Sequence, residues 1–352
     1  MSSTLLNSAL AASSNERPSK RARAEGSQSL STPIRFLILS DTHGAELPAK
    51  LPPCDVLLHC GDLTEDGTPE SISSALQNLS KVKAKLKLVI AGNHEISLDK
   101  LYWLSQGGAE PDAERALALV SPETSSEASK NGVTFLWEGT YTFTLSCGAT
   151  FRIYASPHTP IYGASAFQYL SNEDRFNPSG TPPWAQNVGT ETSTIPDNVD
   201  IVMTHGPPKY ILDMIDSQSA GCEQLRRAIG RARPSLHCFG HIHSPRRGFY
   251  EAHVLGYGGE EELEGDTESI RSISKVWIGE NSCRKKGFRS LTPGAAQEFR
   301  ENKQQTLCVN ASMEGDEPGV LEHPPWLVEL DLPVNADMDT VKNTAGNILH
   351  LT

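Results

Sequence analysis

The chain has 352 residues, enough for one large domain or two modest ones with a sizeable core. Its 31 Lys and Arg against 43 Asp and Glu give a formal charge of −12, so the surface as a whole repels nucleic acid and anionic membranes. No apolar run approaches the roughly 18 residues needed to span a bilayer, and a membrane protein is excluded. The seven cysteines, Cys54, Cys60, Cys147, Cys222, Cys238, Cys283 and Cys308, are odd in number and contain no Cys-x-x-Cys pair. They read as buried thiols in a reducing, intracellular compartment.

Residues 1–33 are rich in Ser and Ala, lack aromatics and read as a disordered tail. Leu5 and Leu6 form too short an apolar patch for a signal peptide, so secretion is not expected. The patch Lys20-Arg21-Ala22-Arg23 is either a solvated stretch of tail or a nuclear-import signal; otherwise the expected location is cytoplasmic. This tail carries four basic and two acidic groups, which leaves 27 basic and 41 acidic groups, a charge of −14, on residues 34–352.

After Pro33 short apolar runs alternate with polar, helix-like segments, the pattern of an α/β protein. Buried strands are predicted at Ile34–Leu39, Val56–His59, Leu86–Ala91, Phe151–Ala155, Val199–Met203 and Leu236–Phe239. Between the second and third, Ile72, Ala75, Leu76, Leu79 and Val82 recur at helical spacing and predict an amphipathic helix over Pro69–Lys85. A second helix is predicted over Cys222–Arg231. Val133–Trp137 and Tyr141–Leu145 flank Glu138-Gly139 and predict a hairpin, and late strands are expected at Val276–Ile278, Leu307–Val309 and Leu327–Leu330. Ser171–Asp197 and the acidic-then-basic stretch Tyr257–Gln305 read as long loops.

The polar residues fall where strands give way to loops. Ser40-Asp41-Thr42-His43 follows the first strand, Gly61-Asp62 the second and Gly92-Asn93-His94-Glu95 the third. Thr204-His205-Gly206-Pro207-Pro208 follows the Val199 strand, and Gly240-His241-Ile242-His243 the Leu236 strand. In an α/β sheet the crevice beyond the strand carboxyl ends is the usual ligand site, so these residues can meet. Carboxylate, amide and imidazole donors suit ions such as Mn, Fe or Zn, and their number is enough for two ions. In extended backbone, side chains two apart share a side, so both members of Asp41-x-His43 and of His241-x-His243 can reach one cluster. Any one of these motifs alone marks little more than a turn; together, in this order and all at strand ends, they mark a site.

Asp41-x-His43, Gly61-Asp62, Gly92-Asn93-His94-Glu95, His205 and Gly240-His241-x-His243 resemble the signature of the calcineurin-like metallophosphoesterases. The branch that the chain resembles is that of the metallophosphoesterase-domain-containing, cyclic-nucleotide phosphodiesterase-like proteins. The supporting stretches are Leu57–Thr64, Ala155–Pro160, Thr204–Pro208 with Ile211-Leu212-Asp213, and Val309-Asn310-Ala311-Ser312. The resemblance implies a four-layer αββα sandwich of two facing mixed sheets, with a dimetal site at the carboxyl-terminal edge of the strands. The domain is expected over 34–332, with 257–305 as an insertion and 333–352 as a C-terminal tail.

Carried over residue by residue, the resemblance gives Asp41, His43 and His243 to the first divalent ion and Asn93, His205 and His241 to the second, with Asp62 between them. His94 becomes a catalytic residue beside the scissile phosphate, not a ligand. Asn93, and in a proline-bracketed loop His158 and Tyr162, are candidate substrate contacts. His59 and Cys60 end a strand and are expected to support the ligands. The implied activity is hydrolysis of small phosphodiesters, cyclic nucleotides among them, by a dimetal-activated hydroxide, with manganese, iron or zinc as the ion. The alternatives are a phosphatase acting on protein or other phosphomonoesters, and a weakly active scaffold that keeps the fold. The first lacks the arginines that clamp a monoester dianion: Leu63-Thr64-Glu65-Asp66 and Ile90-Ala91 stand at those places. The scaffold reading is opposed by the presence of both His241 and His243. Nucleic acid is not an expected partner; a small phosphodiester is.

Overall fold

The computed structural model of the chain describes residues 30–178, 182–243, 250–257 and 270–334. The basic patch Lys20–Arg23, the acidic run from Glu260 to Glu268 and residues 335–352 lie outside the described residues. In chain order the main strands are β1 Ser31–Leu39, β2 Val56–His59, β3 Leu86–Val89, β4 Thr134–Phe135, β5 Gly139–Thr144 and β6 Thr150–Ser156. They continue with β7 Ile201–Thr204, β8 Leu236–Phe239, β9 Glu251–Tyr257, β10 Ile270–Trp277, β11 Gln305–Asn310 and β12 Trp326–Pro333. The α-helices are α1 Pro69–Ser80, α2 Lys100–Ser105, α3 Glu110–Leu119, α4 Glu127–Lys130, α5 Glu223–Ala232, α6 Glu280–Lys286 and α7 Pro293–Glu301.

Two mixed sheets face each other. The first runs β12-β1-β2-β3-β4, and the second β10-β9-β11-β8-β7-β6-β5. Strand alternation divides the apolar residues between two faces. Phe36, Ile38, Leu58 and Leu88 of the first sheet meet Phe151, Ile153, Met203 and Cys238 of the second in the inner core. Leu37, Leu39, Leu57 and Val89 turn outward onto Ile72, Leu76, Leu79 and Ala116 of α1 and α3. Tyr154, Val202 and Phe239 turn outward onto Leu225, Ala228 and Ile229 of α5. Strands buried on both faces need apolar residues throughout, which is why the sequence shows runs there and not alternation. The result is the expected four-layer sandwich.

Register fixes the level of the strand ends. Leu39 pairs with His59 and His59 with Val89 in the first sheet; Thr204 pairs with Ser156, and Phe239 with Asn310, in the second. The loops that follow therefore leave each sheet at one height and on one edge.

The structure departs from the sequence pattern in several places. α1 is capped by Thr68, whose side chain accepts from Ser71 N, and it stops at Ser80 instead of Lys85. The expected hairpin across Glu138-Gly139 does not form. β4 pairs with β3 in the first sheet and β5 with β6 in the second, so Glu138-Gly139 is the passage between sheets. The hairpin is β5 and β6. Within the stretch read as a loop from 257, residues 270–305 form β10, α6 and α7, with β10 antiparallel to β9. Cys147 is exposed, and the other six thiols are buried and free.

The Glu138 carboxylate takes a bond from Arg175 Nη2 (2.6 Å) and one from Ser156 Oγ (2.7 Å). Burial alone would raise its pKa, but His158 and Arg175 beside it bring it from 4.5 to about 2. With the folded value below the unfolded one, the ionised group stabilises the fold above about pH 4.5, and that contribution is lost as pH falls toward 2. Glu138→Gln is expected to lower the melting temperature at pH 7 and to flatten its decline between about pH 4.5 and 2, as thermal melts across that range will show.

Candidate metal centre

Five loops leave the strand ends and converge. One donor atom each from Asp41, His43 and His243 lies within 4.8 Å of the others, and the same holds for Asp62, His205 and His241. Asp62 stands between the two groups: its Oδ2 is 3.2 Å from His205 Nε2 and 3.9 Å from His43 Nε2. Asn93 Oδ1 is 2.8 Å from His205 Nε2 and joins the second group. His94 donates its backbone N–H to Asp62 Oδ1 (2.9 Å), and its ring lies 4.7 Å from that of His43. His94 Nδ1 donates to the Glu65 carbonyl (2.7 Å), which leaves Nε2 as the nitrogen able to accept or deliver a proton.

The backbone is bent to make this possible. Asp41, His43, Asp62 and His241 all have φ between 44° and 67°, the left-handed region, which costs about 1 kcal/mol or more for each non-glycine residue. Cross-loop hydrogen bonds hold them there: Asp41 N to Gly61 O (3.0 Å), Thr42 N to Asp62 O (2.9 Å) and His43 N to Asp62 O (3.1 Å). Two glycines are required by contact. A Cβ on Gly92 would stand 2.2 Å from Asp62 Oδ1, and one on Gly240 2.0 Å from Asp41 Oδ2.

A further set of side chains braces the loops. Glu95, fully buried, accepts from Gly92 N (2.7 Å), Thr64 N (2.9 Å) and Thr64 Oγ1 (2.9 Å), tying the second loop to the third. Cys60 lends its carbonyl to His205 Nδ1 (2.8 Å), which leaves His205 Nε2 for the centre. His59 Nε2 lies 3.0 Å from Thr42 Oγ1, between the ligand candidates Asp41 and His43. Asn310, at the end of β11, donates to the Ile242 carbonyl (2.8 Å) and fixes the His241 loop.

Charge decides what the cluster can hold. Burial alone would raise the Asp41 carboxyl, but the His243 hydrogen bond and the imidazoles of His205 and His43 hold it far below the usual range. Asp62, likewise buried, is brought to about 2, chiefly by His205. Burial opposes a proton on His205, yet Asp62 and Asp41 raise it to about 9, whereas burial and the neighbouring His205 push His241 down to about 3. Both ring nitrogens of His43 are buried without a hydrogen-bond partner. Two ionised buried carboxylates, an amide oxygen and imidazoles with unpartnered nitrogens fit divalent cations with O and N ligands. Such cations would replace the positive charge that a protonated His205 supplies without them.

Beside the centre opens a cavity of about 850 Å³, lined in part by His43, Asp62, Asn93, His94, His241 and His243. Ile161, Tyr162, Trp184 and Ile215 give it apolar lining. Among the described residues, Lys209 is the one Lys or Arg that lines it, and Lys209 Nζ lies 3.4 Å from Glu223 Oε2. Tyr162 stacks edge-on to His241 at 4.9 Å. His158 is not among the lining residues: its Nδ1 lies 3.3 Å from Glu138 Oε1, and its ring packs on Phe167. Glu65, Glu314, Trp184, Lys209 and Asn310 also line or brace the site, and no motif in the sequence marks a role for them. Asn310 alone carried a signal, as the end of a further strand at the same edge.

A family model described as calcineurin-like phosphoesterase matches residues 34–245. The human metallophosphoesterase domain-containing protein 1 is 31% identical over 214 residues, 59% of this chain and 60% of that protein. A probable rhamnogalacturonate lyase C of Emericella nidulans is 34% identical over 212 residues, which make up 60% of this chain and 17% of that protein. The chain thus spans less than two thirds of the length of either relative. A purple acid phosphatase PPD1 from yellow lupin seeds aligns over 80% of this chain and 45% of that one, with 13% identity and a TM-score of 0.36. No described helix is long and apolar enough to cross a membrane. With its family-model match running from β1 to the His241 loop, the chain belongs to the calcineurin-like phosphoesterase family.

Proposed function

We propose that the chain is a metal-dependent hydrolase of small phosphodiesters, cyclic nucleotides among them, with residues 34–332 as its domain. The carrying observation is the meeting of both donor groups, with Asp62 between them and His94 beside them, next to a cavity that His43, Asp62, Asn93, His94, His241 and His243 line. In this reading Asp41, His43 and His243 would hold one divalent ion and Asn93, His205 and His241 the other, with Asp62 serving both. Bound ions supply positive charge to a phosphate anion and lower the pKa of water toward neutrality.

The chain's own residues do the rest. Burial disfavours a proton on His94, but Asp62 and the Glu65 carbonyl raise its pKa above the ordinary value. A proton held at Nε2 suits delivery to a leaving oxygen. Tyr162 and Trp184 offer flat apolar surface to the organic part of the substrate. Among the described residues Lys209 is the one Lys or Arg lining the cavity, and an ammonium cannot form the paired guanidinium clamp of a monoester dianion, which favours the singly charged diester. The acidity of the chain is consistent with this: attraction of the anion falls to bound metal.

With added Mn2+, the purified chain is expected to hydrolyse an aryl phosphodiester faster than the corresponding monoester. Asp62→Ala and His205→Ala should each lower kcat/KM at least about 100-fold. Equal rates for wild type and variants would contradict the enzyme reading, and a preference for monoester would move the substrate to the other class. His94→Gln should lower kcat on the order of 100-fold with an alkoxide leaving group and far less with p-nitrophenolate, which needs no proton. A loss independent of the leaving group would deny His94 the role of acid. Trp184→Ala should raise KM for a nucleotide diester about tenfold with little change in kcat, as expected for a stacking surface. A fall in kcat with KM unchanged would place Trp184 elsewhere in the reaction.

A further inference from the structure

One buried carboxylate at the centre lies outside the seven donors. Glu314 is 7% exposed and arrives by a braced route. β11 ends at Asn310, and the buried Arg289 donates from Nη1 to the Asn310 carbonyl and from Nη2 to the Ser312 carbonyl, each at 3.1 Å. Its Nε donates to the Pro324 carbonyl (2.6 Å). Ser312 forms a parallel bridge with Ser40, and Met313 N donates to Ser40 O (3.0 Å). The chain thereby crosses from the end of the second sheet to the end of β1 and sets Glu314 beside the loop of Asp41 and His43. Glu314 Oε1 accepts the Gly319 N–H (2.6 Å). Oε2 lies 3.4 Å from His243 Nδ1 and 3.5 Å from His43 Nε2.

We propose that Glu314 is a positioning residue of the centre, accepting the His243 Nδ1 proton so that His243 Nε2, 3.3 Å from Asp41 Oδ1, is free to bind a cation. The contact with His43 has a different character. His43 Nδ1 lies 2.9 Å from Glu65 Oε2, closer than Nε2 lies to Glu314, and a proton kept on Nδ1 leaves the Nε2 that faces Glu314 with a lone pair and nothing to donate. Glu314 is thereby assigned to His243 and not to His43. A carboxylate or carbonyl that accepts the second N–H of a ligating imidazole sharpens its orientation and basicity, and loss of such a partner weakens metal binding about 10- to 100-fold.

The inference rests on the two-ion reading above, and its test separates the two. The full chain, stripped by chelation, is titrated with Mn2+ by calorimetry and by electron paramagnetic resonance. Wild type is expected to bind two Mn2+. Glu314→Ala should weaken one site about 10- to 100-fold, leave the other unchanged and keep the metal-free melting temperature. Glu314→Gln, whose amide oxygen still accepts the Nδ1 proton, should recover near wild-type affinity. Should the Ala variant fail to fold, the Gln variant carries the test. Wild-type affinity at both sites of Glu314→Ala overturns the inference. Equal loss in the Gln and Ala variants overturns it in favour of charge or direct ligation. Absence of Mn2+ binding by wild type overturns the two-ion reading itself.

Discussion

The structure of this centre turns on burying two ionised carboxylates, Asp41 and Asp62, at the ends of adjacent parallel strands. Like charges removed from water cost several kcal/mol unless partners compensate them. The protein supplies two kinds of partner. Backbone N–H groups of His241 and His94 point at the carboxylates, and the imidazoles of His43 from the first sheet and of His205 and His243 from the second surround them. These bonds demand close backbone approach, which explains the left-handed residues and the bare Cα of Gly92 and Gly240. The remaining negative charge is a standing attraction for divalent cations.

The two-sheet sandwich makes that concentration of charge possible. Asp41, His43, Asp62 and Asn93 come from the first sheet, and His205, His241 and His243 from the second. Neither sheet alone carries a complete set for either group. Packing of the inner faces thus sets the distances among the donors, and Asn310 and Arg289 fasten the edge where the sheets meet. A small shift of one sheet on the other would pull Asp62 away from His205. The outer helices take no direct part in the chemistry; they keep the strands buried so that the ends stay fixed.

Much of this was legible in the sequence. Six apolar runs marked the central strands because strands covered on both faces must be apolar throughout. The donors were legible because each follows such a run. The passage at Glu138-Gly139 misled because a Gly-containing break between apolar runs looks the same whether the chain turns back or crosses to another sheet. β10 was read only at its end because it is an edge strand with mostly exposed side chains, and α6 buries only Cys283. Glu314 and Glu65 could not be singled out among 43 acidic residues. What distinguishes them is a tertiary contact, in one case made across the join of the two sheets. His158 is the converse: its loop reaches the site, but its ring turns toward Glu138, a residue whose partners no local pattern specifies.

Two cations sharing Asp62 at one edge of the sandwich are the proposal on which the rest depends. Crystals grown with Mn2+ and measured for anomalous scattering test it most directly. Two peaks are expected, one among Asp41, His43 and His243 and one among Asn93, His205 and His241, with Asp62 touching both. A single peak, or peaks away from these residues, would contradict it.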